Sequence, residues 1–87
     1  MTALRFRVTG RVHGVGFRHY TQEVAWNMGL VGEVWNARDG AVEGVVQGEK
    51  LEAFLAVLRN GPGHVEDVTS EPTALGEFAE FGIAVTR

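Results

Sequence analysis

Leu4, Phe6 and Val8 alternate with Arg5, Arg7 and Thr9, a period of two that predicts a strand with one buried face, running to about Val12. The rhythm then breaks. In Gly10-Arg-Val-His-Gly-Val-Gly-Phe-Arg18 three glycines fall within seven residues, which predicts a loop with backbone angles that side chains avoid. From Phe17 the apolar spacing changes to three and four, with Tyr20, Val24 and Met28 on one stripe and Gly29 placed to end a helix. Val31 to Asn36 is rich in β-formers, Arg38-Asp39-Gly40 has turn chemistry, and Val42 to Gln47 resumes strand character, so the three pieces predict a hairpin. Leu51, Phe54, Leu55 and Leu58 mark a second amphipathic helix, ended by Asn60-Gly61-Pro62-Gly63. Val65 to Thr69, then Phe81, Ile83 and Val85, supply one or two closing strands.

The order strand, helix, strand, strand, helix, strand predicts an α+β, ferredoxin-like βαββαβ sandwich, with two helices packed on one face of a largely antiparallel four- or five-stranded sheet. Residues 1–87 read as one domain, without repeats or linkers. The strand-helix-strand crossover leaves strands one and two pointing the same way. Their C-terminal ends then share one rim, and the glycine loop should neighbour Asn36.

Charge adds a direction to this frame. The chain carries a net −3, which argues against binding a nucleic-acid polymer through clustered cations. Residues 1–38 hold Arg5, Arg7, Arg11, Arg18 and Arg38 against Glu23 and Glu33, a net of +3, while the remainder is acidic. That asymmetry suits a small anionic ligand, although a chance distribution of surface charge produces the same pattern. Cysteine is absent, which removes disulfides, thiolate nucleophiles and thiolate metal sites and suits a reducing compartment. Residues 1–9 show neither a signal-peptide core nor a membrane span, so the expected location is cytoplasmic and no membrane partner is expected.

Glycines directly ahead of a helix let successive backbone N–H groups converge on an anion, reinforced by the positive end of the helix dipole. The loop is no P-loop, since Gly-Lys-Ser/Thr is missing, and no dinucleotide fingerprint, since His19 stands three residues after Gly16. A plain tight turn would use the same glycines. Arg18 falls on the first helical turn, where the dipole disfavours a cation, and a bound phosphate would compensate. Solvent exposure or a pair with Glu23 are the alternatives. Asn36, ending the second strand, has a carboxamide able to accept from water and donate to phosphate; opening the turn through an Asx hydrogen bond is its alternative use. His13, His19 and His64 lack metal-ligand spacing apart from the weak loop pair His13 and His19, so no metal and no cofactor is expected. Phosphoryl transfer depends on positioning and charge stabilisation, and an acyl phosphate leaves as a carboxylate without a strong general acid, so this sparse set suffices for it.

Gly10-Arg11-Val12-His13-Gly14-Val15-Gly16-Phe17-Arg18, with Gly29-Leu30-Val31-Gly32-Glu33-Val34-Trp35-Asn36 and Asp39-Gly40-Ala41-Val42-Glu43, resembles the acylphosphatase family, and the likeness extends to Phe78, Phe81 and Ile83. The resemblance implies metal-free hydrolysis of the carboxyl-phosphate bond of small acyl phosphates. It implies that Val12, His13, Gly14, Val15, Gly16, Phe17 and Arg18 hold the phosphate, and that Asn36 orients the attacking water beside Arg18. Two positions depart from the family pattern. His13 stands where glutamine is frequent, and Glu33 where an aromatic is frequent, with Trp35 two residues on.

The expected substrate is a small-molecule acyl phosphate, and the expected state is a monomer. The competing reading is a non-catalytic phosphate-binding regulatory module that keeps the cradle without turnover. Acylphosphatase-like domains also occur within larger carbamoyl-transferring proteins, which add long partner domains to this one. A nucleic-acid module of the same fold would need stacking aromatics on the open sheet face and a basic surface; Phe6 alternates with Leu4 and Val8 as core instead.

Overall fold

The computed structural model describes residues 1–87. In chain order its elements are β1 (Thr2–Arg11), α1 (Phe17–Asn27), β2 (Val31–Asn36), β3 (Val42–Gly48), α2 (Leu51–Leu58), β4 (His64–Pro72) and β5 (Phe81–Ile83). They form one five-stranded sheet in the order β4-β1-β3-β2-β5. All neighbours are antiparallel except β2 and β5, which run parallel. Both helices cover the same face, giving the expected ferredoxin-like arrangement with a fifth strand added at the β2 edge.

Alternation on the central strands decides which face is covered. Phe6, Val8, Val34, Val42 and Val46 are buried beneath the helices, while Arg5, Arg7, Glu33 and Glu43 turn to the other face. Phe54 of α2 sits at the centre of the core, edge-on to Phe6 with ring centroids 5.5 Å apart and 6.2 Å from Phe81. Such pairs add about 0.5–1.5 kcal/mol each to the area they bury.

The buried stripe of α1 differs from the expected one. Phe17, Thr21 and Ala25 are fully covered, and Tyr20, Val24 and Met28 flank them half-buried. Thr21 can be polar there because its hydroxyl donates to Phe17 O at 2.9 Å, so its burial leaves no orphan group. β1 ends at Arg11, close to the expected Val12, so Gly10 and Arg11 belong to the strand rather than to the glycine-rich loop they open, pairing with Val65 and His64 after a bulge at Thr9/Gly10. β4 runs from His64 to Pro72, beyond the expected Val65–Thr69; only Val68 in it is buried, as befits a polar edge strand.

Candidate active site

β1 and β2 both pair antiparallel with β3, so they run parallel to each other and end at one rim. Asn36 lies two residues beyond the buried Val34 and pairs with the buried Val42, which places it on the helix-covered face. Phe17, also buried, anchors the start of α1 at the same rim. Between these pieces opens a cleft of about 220 Å³ lined by Val12, Gly14, Gly16, Phe17, Arg18, His19 and Asn36.

Gly14 and Gly16 take φ of 70° and 81°, the left-handed region in which a Cβ is strained even where space is open. Their geometry lets the chain fold back on itself immediately ahead of α1. Gly16 occupies the N-cap position without any side-chain cap, and the first turn holds no acid. The earliest helical bond joins Tyr20 N–H to Gly16 O at 3.0 Å, so the N–H groups of Phe17, Arg18 and His19 have no intrahelical acceptor. Arg18 adds a full cation to this positive end. Its alternative partner, Glu23, does not engage it, and the four ion pairs of the protein involve other residues.

The Asx alternative for Asn36 is also taken by another residue. Ala41 N–H donates to Asp39 Oδ1 at 3.2 Å, and Ala37 N–H donates to Ala41 O at 2.8 Å, closing the turn without the Asn36 side chain. The Asn36 backbone is fixed instead. Arg87 N–H donates to Asn36 O and Arg38 N–H to Arg87 O, each at 3.0 Å, leaving the carboxamide at the cleft wall.

Not every residue of the expected loop lines the cleft. Val15 is exposed on the outer side, and the His13 ring reaches Ala41 O at 3.1 Å instead. His19 also lines the cleft, a role its spacing from His13 does not signal; its place in the first helical turn beside Arg18 does. Glu33 and Trp35 lie on the opposite sheet face. There Arg87 stacks over the Trp35 ring at 4.2 Å and pairs with Glu33 at 3.0 Å, so the departure at Glu33 and the Trp35 beside it do not wall the cleft.

A larger concavity of about 350 Å³ on the open sheet face is lined chiefly by Arg5, Arg7, Glu43, Thr69, Ser70 and Glu71. Its charges balance, Arg5 and Arg7 against Glu43 and Glu71, and Arg7 pairs with both Asp39 and Glu43. The Arg7 guanidinium, followed by the Ala41 N–H, holds the Asp39 carboxyl below the usual carboxylate range. With a balanced charge set and no uncapped backbone, this hollow lacks what the smaller cleft offers an anion.

Comparison with known proteins agrees with the sequence resemblance. The acylphosphatase family model matches residues 4–83. An acylphosphatase of Lactococcus lactis is 38% identical, the match covering 95% of this chain and 98% of that one. The crystal structure of acylphosphatase from Bacillus subtilis superposes with a TM-score of 0.92 at 35% identity, covering 97% and 99% of the two chains. Full-length HypF in its phosphate- and nucleotide-bound form matches with a TM-score of 0.85 at 27% identity, over 98% of this chain but 12% of HypF. With the family match spanning nearly the whole sequence and the fold superposing over almost the full length of both chains, this chain belongs to the acylphosphatase family of hydrolases.

Proposed function

We propose that the protein hydrolyses small acyl phosphates to a carboxylate and inorganic phosphate, without a resident metal or cofactor, at the cleft between the β1–α1 loop and the end of β2. The observation that carries this reading is the convergence of an uncapped helix N-terminus, the unpaired Arg18 and the Asn36 carboxamide on one small cleft. The substrate's phosphoryl dianion rests on the backbone N–H groups of Val12 to Arg18. The Arg18 guanidinium takes two of its oxygens in a bidentate grip. Asn36 Oδ1 accepts a hydrogen from the attacking water, and its amide nitrogen donates to the phosphoryl group.

As the water oxygen bonds to phosphorus, the bond between phosphorus and the acyl oxygen breaks and its electron pair leaves on the carboxylate. Both water hydrogens finish on the phosphate, so dianionic substrate plus water gives one carboxylate and one dihydrogen phosphate ion. No strong acid is required for so good a leaving group, and the charge spread over the equatorial oxygens meets donors already in place. The cleft grips the phosphate end, which leaves the acyl group broadly variable. The net charge of −3 and the lack of cysteine fit a protein of a reducing compartment acting on a small molecule rather than on nucleic acid, and no helix is long and apolar enough to cross a membrane.

The test is hydrolysis of benzoyl phosphate by the purified protein in EDTA, beside Arg18→Ala. Turnover that persists in EDTA and collapses in the variant supports the reading. A folded wild-type protein that binds inorganic phosphate and leaves benzoyl phosphate intact overturns it in favour of a phosphate-binding module, and activity abolished by EDTA overturns its metal-free part.

A further inference from the structure

The ladder between β1 and β3 ends at Val8 and Val42. Beyond it the bulge at Thr9/Gly10 turns β1 toward β4, so the last residues of β1 pair only there. The phosphate loop therefore departs from the β2–β3 turn, and no backbone hydrogen bond joins residues 12–16 to residues 37–41. The cleft lies beside that gap, lined by the loop, the start of α1 and Asn36 and by none of residues 37–41. One side chain bridges the gap: His13 Nε2 lies 3.1 Å from Ala41 O. A carbonyl oxygen only accepts, so Nε2 carries the hydrogen and donates. The acceptor is well chosen, because the same oxygen receives Ala37 N–H and closes the turn that begins immediately after Asn36.

We infer that His13 is a positioning residue, a strut that holds the phosphate loop in register with Asn36 and takes no part in contacting the phosphate through its ring. The inference rests on the proposed hydrolysis. In-line attack requires the phosphorus, held by the loop, and the water, held by Asn36, to keep one relative geometry, yet they belong to segments with no backbone bond between them. The strut supplies the missing constraint. Its requirement is a hydrogen-bond donor of this reach, which both the neutral Nε2–H tautomer and the imidazolium provide, and which a glutamine amide of about the same length also provides.

Three quantities separate the strut from its rivals: kcat for benzoyl phosphate, the competitive inhibition constant of inorganic phosphate, and the thermal midpoint, each for wild type, His13→Ala and His13→Gln. His13→Ala should lower kcat by roughly 10-fold or more, since displacement of the order of 1 Å at a reacting pair is worth up to about 10²-fold. Inhibition by phosphate should stay within about twofold, because the cradle itself is intact, and His13→Gln should recover most of the lost kcat. Unchanged kcat in His13→Ala overturns the strut. So does a phosphate constant that rises in step with the loss, which marks a direct ligand, or a His13→Gln as slow as His13→Ala. An inactive wild type refutes the proposed function instead, and the strut is then read from amide hydrogen exchange at Gly40, whose N–H donates to Ala37 O at 3.2 Å: faster exchange in His13→Ala sustains it, and unchanged exchange overturns it.

Discussion

Arg7, from the middle of β1, binds Asp39 at the tip of the β2–β3 turn, so a single guanidinium ties the sheet to the turn that follows Asn36. The same guanidinium bonds Glu43 on β3. Asp39 in turn receives Ala41 N–H, and the carboxylate thereby links a charge on one strand to the backbone of the turn.

This pair makes a prediction about pH. Arg7 holds the Asp39 carboxyl below its usual range in the folded protein. The stability it contributes is therefore fully present above the unfolded value of about 3.9 and is lost as pH falls through the lower folded value. The raised Arg7 value matters only at extreme alkalinity. Asp39→Asn should be less stable than wild type at pH 7, with the gap closing as pH drops below about 4, and added salt should shrink it because both groups are exposed. Urea midpoints measured at the two pH values decide the matter: a gap that persists undiminished in acid would mean that the carboxylate's charge is not what holds the turn.

A second prediction concerns the two proposed working side chains. Arg18→Ala and Asn36→Ala should each keep the wild-type circular dichroism spectrum and lose at least roughly 10²-fold in kcat, the scale of one removed transition-state donor. Asn36→Ala should fold because Asp39, not Asn36, supplies the turn's side-chain hydrogen bond. Retained turnover in Asn36→Ala would refute its water-orienting role, and an unfolded Asn36→Ala would show that the turn needs the carboxamide after all.

What could be read from the sequence divides along physical lines. β2 was legible because its β-formers are bounded by Gly29 and the Arg38-Asp39-Gly40 turn, α2 because its apolar residues recur at three and four, and the meeting of the glycine loop with Asn36 followed from the handed crossover, which makes β1 and β2 parallel whatever the side chains do. The centre of the α1 stripe was illegible because Thr21 hides a hydroxyl by bonding Phe17 O, a possibility that hydrophobic periodicity does not weigh. β4 was legible over Val65–Thr69 but not out to Pro72, since an edge strand with only Val68 buried has little alternation to mark its ends. Arg7 with Asp39 and His13 with Ala41 are separated by 32 and 28 residues; such pairs depend on strand register and on the bulge in β1, neither of which local pattern fixes.

The phosphate loop offers a third prediction. Gly16→Ala places a Cβ at φ 81°, a conformation that costs an alanine about 1–2 kcal/mol, while nothing lies within reach of the added methyl. The folded protein should survive with a lower thermal midpoint, and relaxation of the strained peptide should turn loop N–H groups out of the cleft. Binding of inorganic phosphate, followed by isothermal titration calorimetry, should weaken by more than the stability loss alone implies. Wild-type phosphate affinity in a folded Gly16→Ala would show that the loop amides do not form the cradle.

At the opposite rim of the sheet, Lys50 precedes α2 with φ 58° and is the one residue other than glycine with positive φ. It caps the helix with no side-chain hydrogen bond, so the position carries backbone strain without the usual N-cap compensation. Asparagine tolerates the left-handed region better than lysine, and its carboxamide can accept from the free N–H groups of the first turn. Lys50→Asn should therefore gain about 0.5–1 kcal/mol, which in a domain of this size raises the thermal midpoint by roughly 2–8 °C. Lys50 is remote from the cleft, so kcat for benzoyl phosphate should not move. A midpoint that stays put would mean that lysine holds the left-handed conformation here at no more cost than asparagine. A raised midpoint with unchanged turnover would show that the unusual backbone before α2 is dispensable to the chemistry at the other end of the sheet.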